Sequence, residues 1–154
     1  MAGRIEQRLA ELGITLPTPA VPIANYVPFT IAGALLVVSG QIPLRDGAVA
    51  YAGKVSAEVS LEDGKAAARL CFINLMAQVK AATGDLDRVK RVLRLGGFIA
   101  SPAAFTQHAA VMNGASDLAV EVFGDAGRHA RTTIGVPSLP ADAAVEVEGM
   151  FELA

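Results

Sequence analysis

The sequence RTTIGVPSLPADAAVEVE, residues 131–148, decides the fold that we expect for this chain. Its beginning predicts a short strand, and the Leu-Pro pair at 139–140 predicts a turn. Because side chains alternate along a strand, Arg131, Thr133 and Gly135 share one face of it. This face therefore carries a cation and a hydroxyl group close together.

A second strand is predicted after the turn, from Val145 onward, and its side chains alternate in the same way. Glu146 and Glu148 point to one side of this strand, whereas Val145 and Val147 point to the other. If the two strands pair as a hairpin, Arg131 lies near Glu146 or Glu148. Such a platform would suit the binding of a small carboxylate and the activation of water.

The rest of the chain predicts helices and strands in an irregular order. Residues 60–83 carry an apolar stripe at helical spacing, with Ser60 as the N-cap and Gly84 at the end. The proline-rich segment 17–28 predicts extended chain with little regular structure. The pair Gly96-Gly97 predicts a bulge or a close backbone approach within a strand. The other predicted elements are helices at 3–13 and 112–123 and strands at 35–39, 48–51 and 89–99. Because there is no regular βαβ repeat, we expect an α+β fold with helices on one face of a mixed sheet.

Composition limits the class of protein. A chain of 154 residues predicts a single domain, and its apolar fraction of 53% is high for a small monomer, which favours a homo-oligomer. The net charge of −2 indicates no general attraction to nucleic acid or to an anionic membrane. Cys71 is the only cysteine, so no disulfide framework is expected. We find no apolar run long enough to span a bilayer and no apolar signal core at the N-terminus, so the cytoplasm is the expected compartment.

Four segments together resemble the RidA/YjgF family of imine and enamine deaminases, also called endoribonuclease L-PSP-like. Tyr26 follows a proline-rich lead, and residues 39–43 read Ser-Gly-Gln-Ile-Pro, like the family's S-G-Q-I-P block. Asn113 resembles the family's asparagine before the second helix. Residues 131–148 resemble its C-terminal signature in order and spacing. Thr133 stands where the deaminase branch often carries a cysteine, and residues 112–118 resemble a separate branch of the family.

The resemblance implies a fold and an assembly. It implies one domain over 1–154, with residues 1–20 as an N-terminal helical extension. The fold would be the chorismate-mutase-like α+β type, with two main helices on one face of a mixed sheet and a short N-terminal helix. The family resemblance also implies a homotrimer with pockets between subunits, a small carboxylate as ligand, and neither a metal nor a cofactor.

The implied activity is the hydrolysis of reactive 2-imino and 2-enamino acids to 2-keto acids and ammonia. Arg131 would bind the substrate carboxylate through two parallel hydrogen bonds. Glu146 would orient the attacking water or accept its proton. The remaining candidates for substrate binding are Tyr26, Ser39, Gly40, Asn113 and Thr133.

Each candidate also has a structural interpretation, and these alternatives stay open at the level of sequence. Arg131 could form a structural ion pair with Glu146 or Glu148, and the two glutamates could be a solvated strand face. Asn113 could be a helix N-cap. The other structural readings are packing for Tyr26, backbone hydrogen bonding for Ser39 and Gln41, backbone geometry for Gly40, and surface or packing roles for His108 and His129.

Two further functions compete with the deaminase. One is a non-catalytic module of the same fold that binds or senses a small molecule. The other, which the sequence favours less, is an endoribonuclease or translation inhibitor, as some relatives are named. The charge balance, the low aromatic content of 5% and the lack of paired catalytic histidines all weigh against RNA binding.

Overall fold

The computed structural model describes all 154 residues, arranged as a sheet with helices on one face. The helices are α1 (Arg4–Glu11), α2 (Leu61–Thr83) and α3 (His108–Phe123), with 3₁₀ turns at Leu86–Arg88, Gly124–Gly127 and Pro140–Asp142. The strands are β1 (Phe29–Ala32), β2 (Leu35–Gln41), β3 (Leu44–Arg45), β4 (Ala48–Val49), β5 (Val89–Ala100), β6 (Ala130–Val136) and β7 (Val145–Leu153). The predicted α+β class is confirmed.

The main sheet has the order β1-β2-β7-β5-β6, and β3 with β4 forms a separate small hairpin. Only β5 and β6 are parallel, because α3 connects them as a crossover. The predicted hairpin between the two C-terminal strands is therefore wrong. β7 pairs antiparallel with β5, so β5 lies between β6 and β7.

The long helix α2 confirms its sequence signals. The Ser60 hydroxyl accepts a hydrogen bond from the Asp63 N–H at 3.1 Å, and Gly84 closes the helix in the left-handed conformation with φ 75°. The stripe of apolar side chains lies in the core against the sheet, where Phe72 and Leu75 are fully buried. Burial of such side chains contributes about 1.5–3 kcal/mol each.

The helix α3 begins four residues earlier than predicted, at His108, and packs closely on α2 and β5. A Cβ on Gly97 would collide with the Met112 sulfur, and a Cβ on Gly114 would collide with the Lys65 carbonyl oxygen. Gly96-Gly97 is thus a close approach. The register shifts of β5 lie nearer its start, between Val89 and Arg94.

The N-terminal part of the sheet departs from the sequence prediction. The strand β1 was missed, because the proline-rich lead ends just before it at Pro28. The predicted strand at 48–51 is only the two-residue β4, which pairs with β3 rather than with the main sheet. No helix is both long enough and apolar enough to cross a membrane.

The face of the sheet away from the helices is uncovered. Cross-strand register places Ile134, Phe98 and Glu146 side by side on it. Ile134 is 47% exposed, and Leu35 on β2 is also exposed on this face. The sheet therefore presents an apolar surface to solvent in the single chain.

Candidate functional site

Arg131 lies near the start of the edge strand β6 and points toward α3. Its Nη1 donates to Asn113 Oδ1 at 2.7 Å and to Ser116 Oγ at 3.1 Å. Its Nη2 donates to the Ala109 carbonyl oxygen at a longer 3.5 Å. All three acceptors belong to α3 and none is charged, so the helix orients the guanidinium without neutralising it.

The donors of Arg131 are only partly used. A guanidinium has five N–H groups. Both Nη1 hydrogens have partners and one Nη2 hydrogen has a weak one, which leaves Nε and the second Nη2 hydrogen free. No carboxylate oxygen lies within 4.0 Å of this side chain. The free donors suit a carboxylate bound from the side of the guanidinium.

Arg131 does not meet the two glutamates. It pairs in register with the fully buried Leu95, on the face that the helices cover. Glu146 and Glu148 lie opposite Phe98 and Gly96, on the uncovered face. The structural ion pair and the predicted Arg131–glutamate platform are both wrong for a single chain, because the two sets of side chains lie on opposite faces of the sheet.

Sequence reasoning missed the group that surrounds Ser116. Its Oγ lies 2.9 Å from His129 Nε2, and His129 Nδ1 lies 2.6 Å from the Gly127 carbonyl oxygen. Burial lowers the pKa of His129 and the charge of Arg131 lowers it further, against the opposing hydrogen bond to Gly127. The usable signal was spacing: Ser116 follows Asn113 by one helical turn, and His129 precedes Arg131 by two residues.

Two predicted residues complete this part of the site. Asn113 is not a helix N-cap, because α3 begins at His108 and Gln107 precedes it. It lies in the second turn of the helix and contacts Arg131 instead. Thr133 shares the face of Arg131, and its hydroxyl is buried without a hydrogen-bond partner.

Glu146 forms a second group of candidates, around a cavity of about 110 Å³. The cavity is also lined by Tyr26, Gly40, Gln41 and Pro140. The Glu146 carboxylate lies directly against Gly40, where a Cβ would collide with it. Burial raises the pKa of Glu146, and the charge of Glu148 raises it further. Glu146 makes no hydrogen bond, so its carboxylate is free to act on a ligand or on water.

The neighbours of Glu146 differ in what they offer a ligand. Tyr26 is 51% exposed and stands at the cavity wall. The Ser39 hydroxyl donates to the Val27 carbonyl oxygen at 2.8 Å, and the Gln41 amide donates to the Ser39 carbonyl oxygen at 3.0 Å. Ser39 and Gln41 thus satisfy local backbone groups, as their structural interpretation held. Gly40 supplies the space that the carboxylate needs.

The structure thus divides the predicted site residues into two groups. Arg131, Asn113 and Thr133 form one group on the helix-covered face, together with Ser116 and His129. Glu146, Tyr26 and Gly40 form the other around the cavity at the uncovered face, whereas Ser39 does not line this cavity and its hydroxyl donates to the Val27 carbonyl oxygen. One chain holds a cation with free N–H donors and a carboxylate of raised pKa, but it does not bring them together.

Other reactive groups contribute little to either cluster. Cys71 is fully buried, and burial raises the pKa of its thiol well above the ordinary value. No group of three or more His, Cys, Asp or Glu side chains is arranged to hold a metal ion. His108 packs edge-on against Phe105, with ring centroids 5.1 Å apart.

Comparison with known proteins gives matches over nearly the whole chain. The family model described as "YjgF/chorismate_mutase-like, putative endoribonuclease" matches residues 6–153. Protein TCP17 of Trypanosoma cruzi is 47% identical over 153 residues, covering 99% of this chain and 96% of that protein. The structure of Atu1372, a protein of unknown function from Agrobacterium tumefaciens, is 49% identical with a TM-score of 0.92, covering 97% of this chain and 92% of that one. A protein from Shewanella oneidensis MR-1, whose crystal structure is described as that of "a putative endoribonuclease", is 38% identical with a TM-score of 0.95. The match covers 98% of this chain and 100% of that one.

Proposed function

Because this chain belongs to the YjgF/chorismate-mutase-like family, we propose that it hydrolyses small reactive 2-imino and 2-enamino acids to 2-keto acids and ammonia. The observation that carries the proposal is the guanidinium of Arg131. It is oriented by three neutral acceptors, has no carboxylate partner and keeps two N–H donors free. A 2-imino acid offers the carboxylate that these donors fit.

The substrate would bind by its carboxylate, with two parallel hydrogen bonds from Nε and Nη2 of Arg131. Binding at one end fixes the position of the adjacent C=N carbon, which is the electrophile. Such positioning removes much of the entropic barrier to attack by water. The buried hydroxyl of Thr133 lies on the same strand face and could form a hydrogen bond with the substrate nitrogen after a small movement.

Glu146 is the candidate base. A carboxylate whose pKa is raised binds a proton more readily, and a carboxylate with no hydrogen-bond partner can accept one from water. Water would attack the C=N carbon as Glu146 takes one of its protons, and return of that proton to the nitrogen gives the neutral carbinolamine. Glu146 would then move the hydroxyl proton to the nitrogen as the C–N bond breaks, which releases ammonia and leaves the water oxygen as the C=O oxygen of the keto acid.

This chemistry requires more than one chain. Arg131 of one subunit can act with Glu146 only if a second copy brings its uncovered face to the β6 edge of the first. The exposed Ile134 and Leu35 support such an association, since burying them is favourable. We propose a homotrimer with shared sites, as the family resemblance implies.

The first prediction concerns Arg131. The variant Arg131→Met should lower the rate of imine hydrolysis at least about 100-fold, because one charge-assisted bidentate contact contributes roughly 3 kcal/mol. The measurement couples an amino-acid oxidase to the purified protein and follows the imino acid that semicarbazide traps. Wild-type protein should lower the trapped amount and raise the free keto acid.

The matched control is Arg4→Met, which removes an exposed arginine of α1 that belongs to neither group. It should behave like wild type, and both variants should keep the wild-type assembly state in light scattering. Equal hydrolysis by wild type, Arg131→Met and buffer would contradict the proposal. Because the family description names an endoribonuclease, the same proteins should be incubated with RNA. Cleavage lost in Arg131→Met would favour that function instead.

A further inference from the structure

Ser116 connects His129 to Arg131 through two hydrogen bonds of defined direction. The Gly127 carbonyl oxygen can only accept, so the 2.6 Å contact with His129 requires the proton on Nδ1. In neutral His129, Nε2 is then an acceptor. The Ser116 hydroxyl therefore donates to His129 Nε2 at 2.9 Å.

This direction leaves the lone pairs of Ser116 for Arg131. Arg131 Nη1 has only donors, and it approaches Ser116 Oγ at 3.1 Å. The serine thus donates to the imidazole and accepts from the guanidinium, which matches both partners. If His129 gains a proton, Nε2 becomes a donor, and Ser116 Oγ can then accept from both His129 and Arg131. The serine hydrogen is thereby free to donate to a carboxylate bound at Arg131, so the protonation state of His129 determines what Ser116 offers to an anion at this site.

The structure places few charged groups around His129, and one of them is Arg91 of β5, which donates to the Arg128 carbonyl oxygen at 3.1 Å. α3 presents Ser116, the 3₁₀ turn presents the Gly127 carbonyl, and β6 presents Arg131. The neighbouring Arg128 is paired on the surface with Asp125 at 3.4 Å. Arg131 is the charged group that contributes to the lowered pKa of His129. An anion on the free edge of Arg131 would offset that charge.

We propose that His129, acting through Ser116, is a positioning residue for Arg131, and that protonation of His129 is coupled to the binding of a carboxylate at Arg131. The proposal rests on the proposed role of Arg131 as the carboxylate-binding group. It does not require turnover, so it applies equally to a hydrolase and to a binding module. By linkage, the anion favours protonated His129 as much as protonated His129 favours the anion.

The test uses the full-length protein and pyruvate, a 2-keto acid, as the probe. The chain has two histidines, so NMR titration of the imidazole Cε1–Hε1 signals follows both. Saturating pyruvate should raise the pKa of His129, whereas the His108 signals should not move when pyruvate is added at fixed pH. The His108 ring packs against Phe105 and is therefore an internal control.

Three variants separate this inference from the proposed function. Ser116→Ala should weaken pyruvate binding about tenfold and reduce the pKa change at His129, whereas Ser116→Thr, which keeps the hydroxyl, should restore both. Arg131→Met should abolish binding. If Arg131→Met abolishes binding but the His129 pKa does not move, or Ser116→Ala binds like wild type, the inference fails and the proposed function stands. If wild type does not bind pyruvate, or Arg131→Met binds it equally well, both fail.

Discussion

Glu146 shows at the scale of one residue how a reactive group costs stability. Its carboxylate is partly buried, faces the charge of Glu148 and makes no hydrogen bond. Gly40 provides the room for it, because a side chain there would collide with the carboxylate. Nothing in the surrounding structure compensates its charge. Partly buried ionisable groups without a compensating partner are typical of functional sites.

The raised pKa of Glu146 gives a stability prediction with a definite sign. The folded-state pKa lies above the unfolded value, so the native state binds the proton more tightly. This stabilisation is present below the unfolded pKa and is lost as the pH rises through the folded pKa. Glu146→Gln should therefore raise the melting temperature relative to wild type at pH 8, with a smaller or opposite difference at pH 4.

Thermal unfolding by circular dichroism at both pH values provides the measurement. Glu11→Gln on α1 is the control for replacing an exposed glutamate away from the site. If Glu146→Gln is less stable than wild type at pH 8, Glu146 makes a stabilising contact that the single chain does not show.

At the scale of elements, local signals predicted the helices better than the sheet. The N-cap Ser60 and the closing Gly84 act over a few residues, so both ends of α2 could be read directly. The order of strands depends on which segments meet after α3 crosses over, and alternation within β6 and β7 carries no such information. The chemistry of Arg131 and Glu146 was thus predictable, whereas their placement on opposite faces was not.

The contact between α2 and α3 depends on a glycine, and this gives an element-scale prediction. A Cβ at Gly114 would collide with the Lys65 carbonyl oxygen, so Gly114→Ala must push the helices apart. Overpacking a core destabilises a protein by up to about 3 kcal/mol, and this severe clash belongs at the upper end of that range. The cost outweighs the gain of about 1 kcal/mol in helix propensity when alanine replaces glycine. Gly114→Ala should therefore lower the free energy of unfolding by about 2 kcal/mol.

Urea denaturation measures this difference. Asp117→Ala, on the exposed side of the same helix, should change the stability by no more than about 0.5 kcal/mol. Equal stability of Gly114→Ala and wild type would mean that the two helices adjust more easily than their close approach indicates.

At the scale of the whole molecule, one face of the sheet has helices and the other has none. The uncovered face carries Phe98 and Ile134 as well as the Glu146 cavity. Arg131 stands at the opposite face beside the edge strand β6. A second copy that packed its β6 edge against the exposed face would bring its own Arg131 to the Glu146 that lies there. We therefore expect assembly and activity to be lost together.

If the site is shared between subunits as proposed, a variant that lacks Arg131 and a variant that lacks Glu146 should restore each other's activity. The Arg131→Met variant keeps the proposed base Glu146, and the Glu146→Gln variant keeps the proposed carboxylate-binding Arg131. Each variant alone should be nearly inactive. Co-expression of both variants in equal amounts should give mixed trimers. With random assortment of subunits, about a quarter of the shared sites combine an intact Arg131 from one variant with an intact Glu146 from the other. Roughly a quarter of wild-type hydrolysis should return. Activity no higher than that of either variant alone would mean that each site takes Arg131 and Glu146 from the same chain.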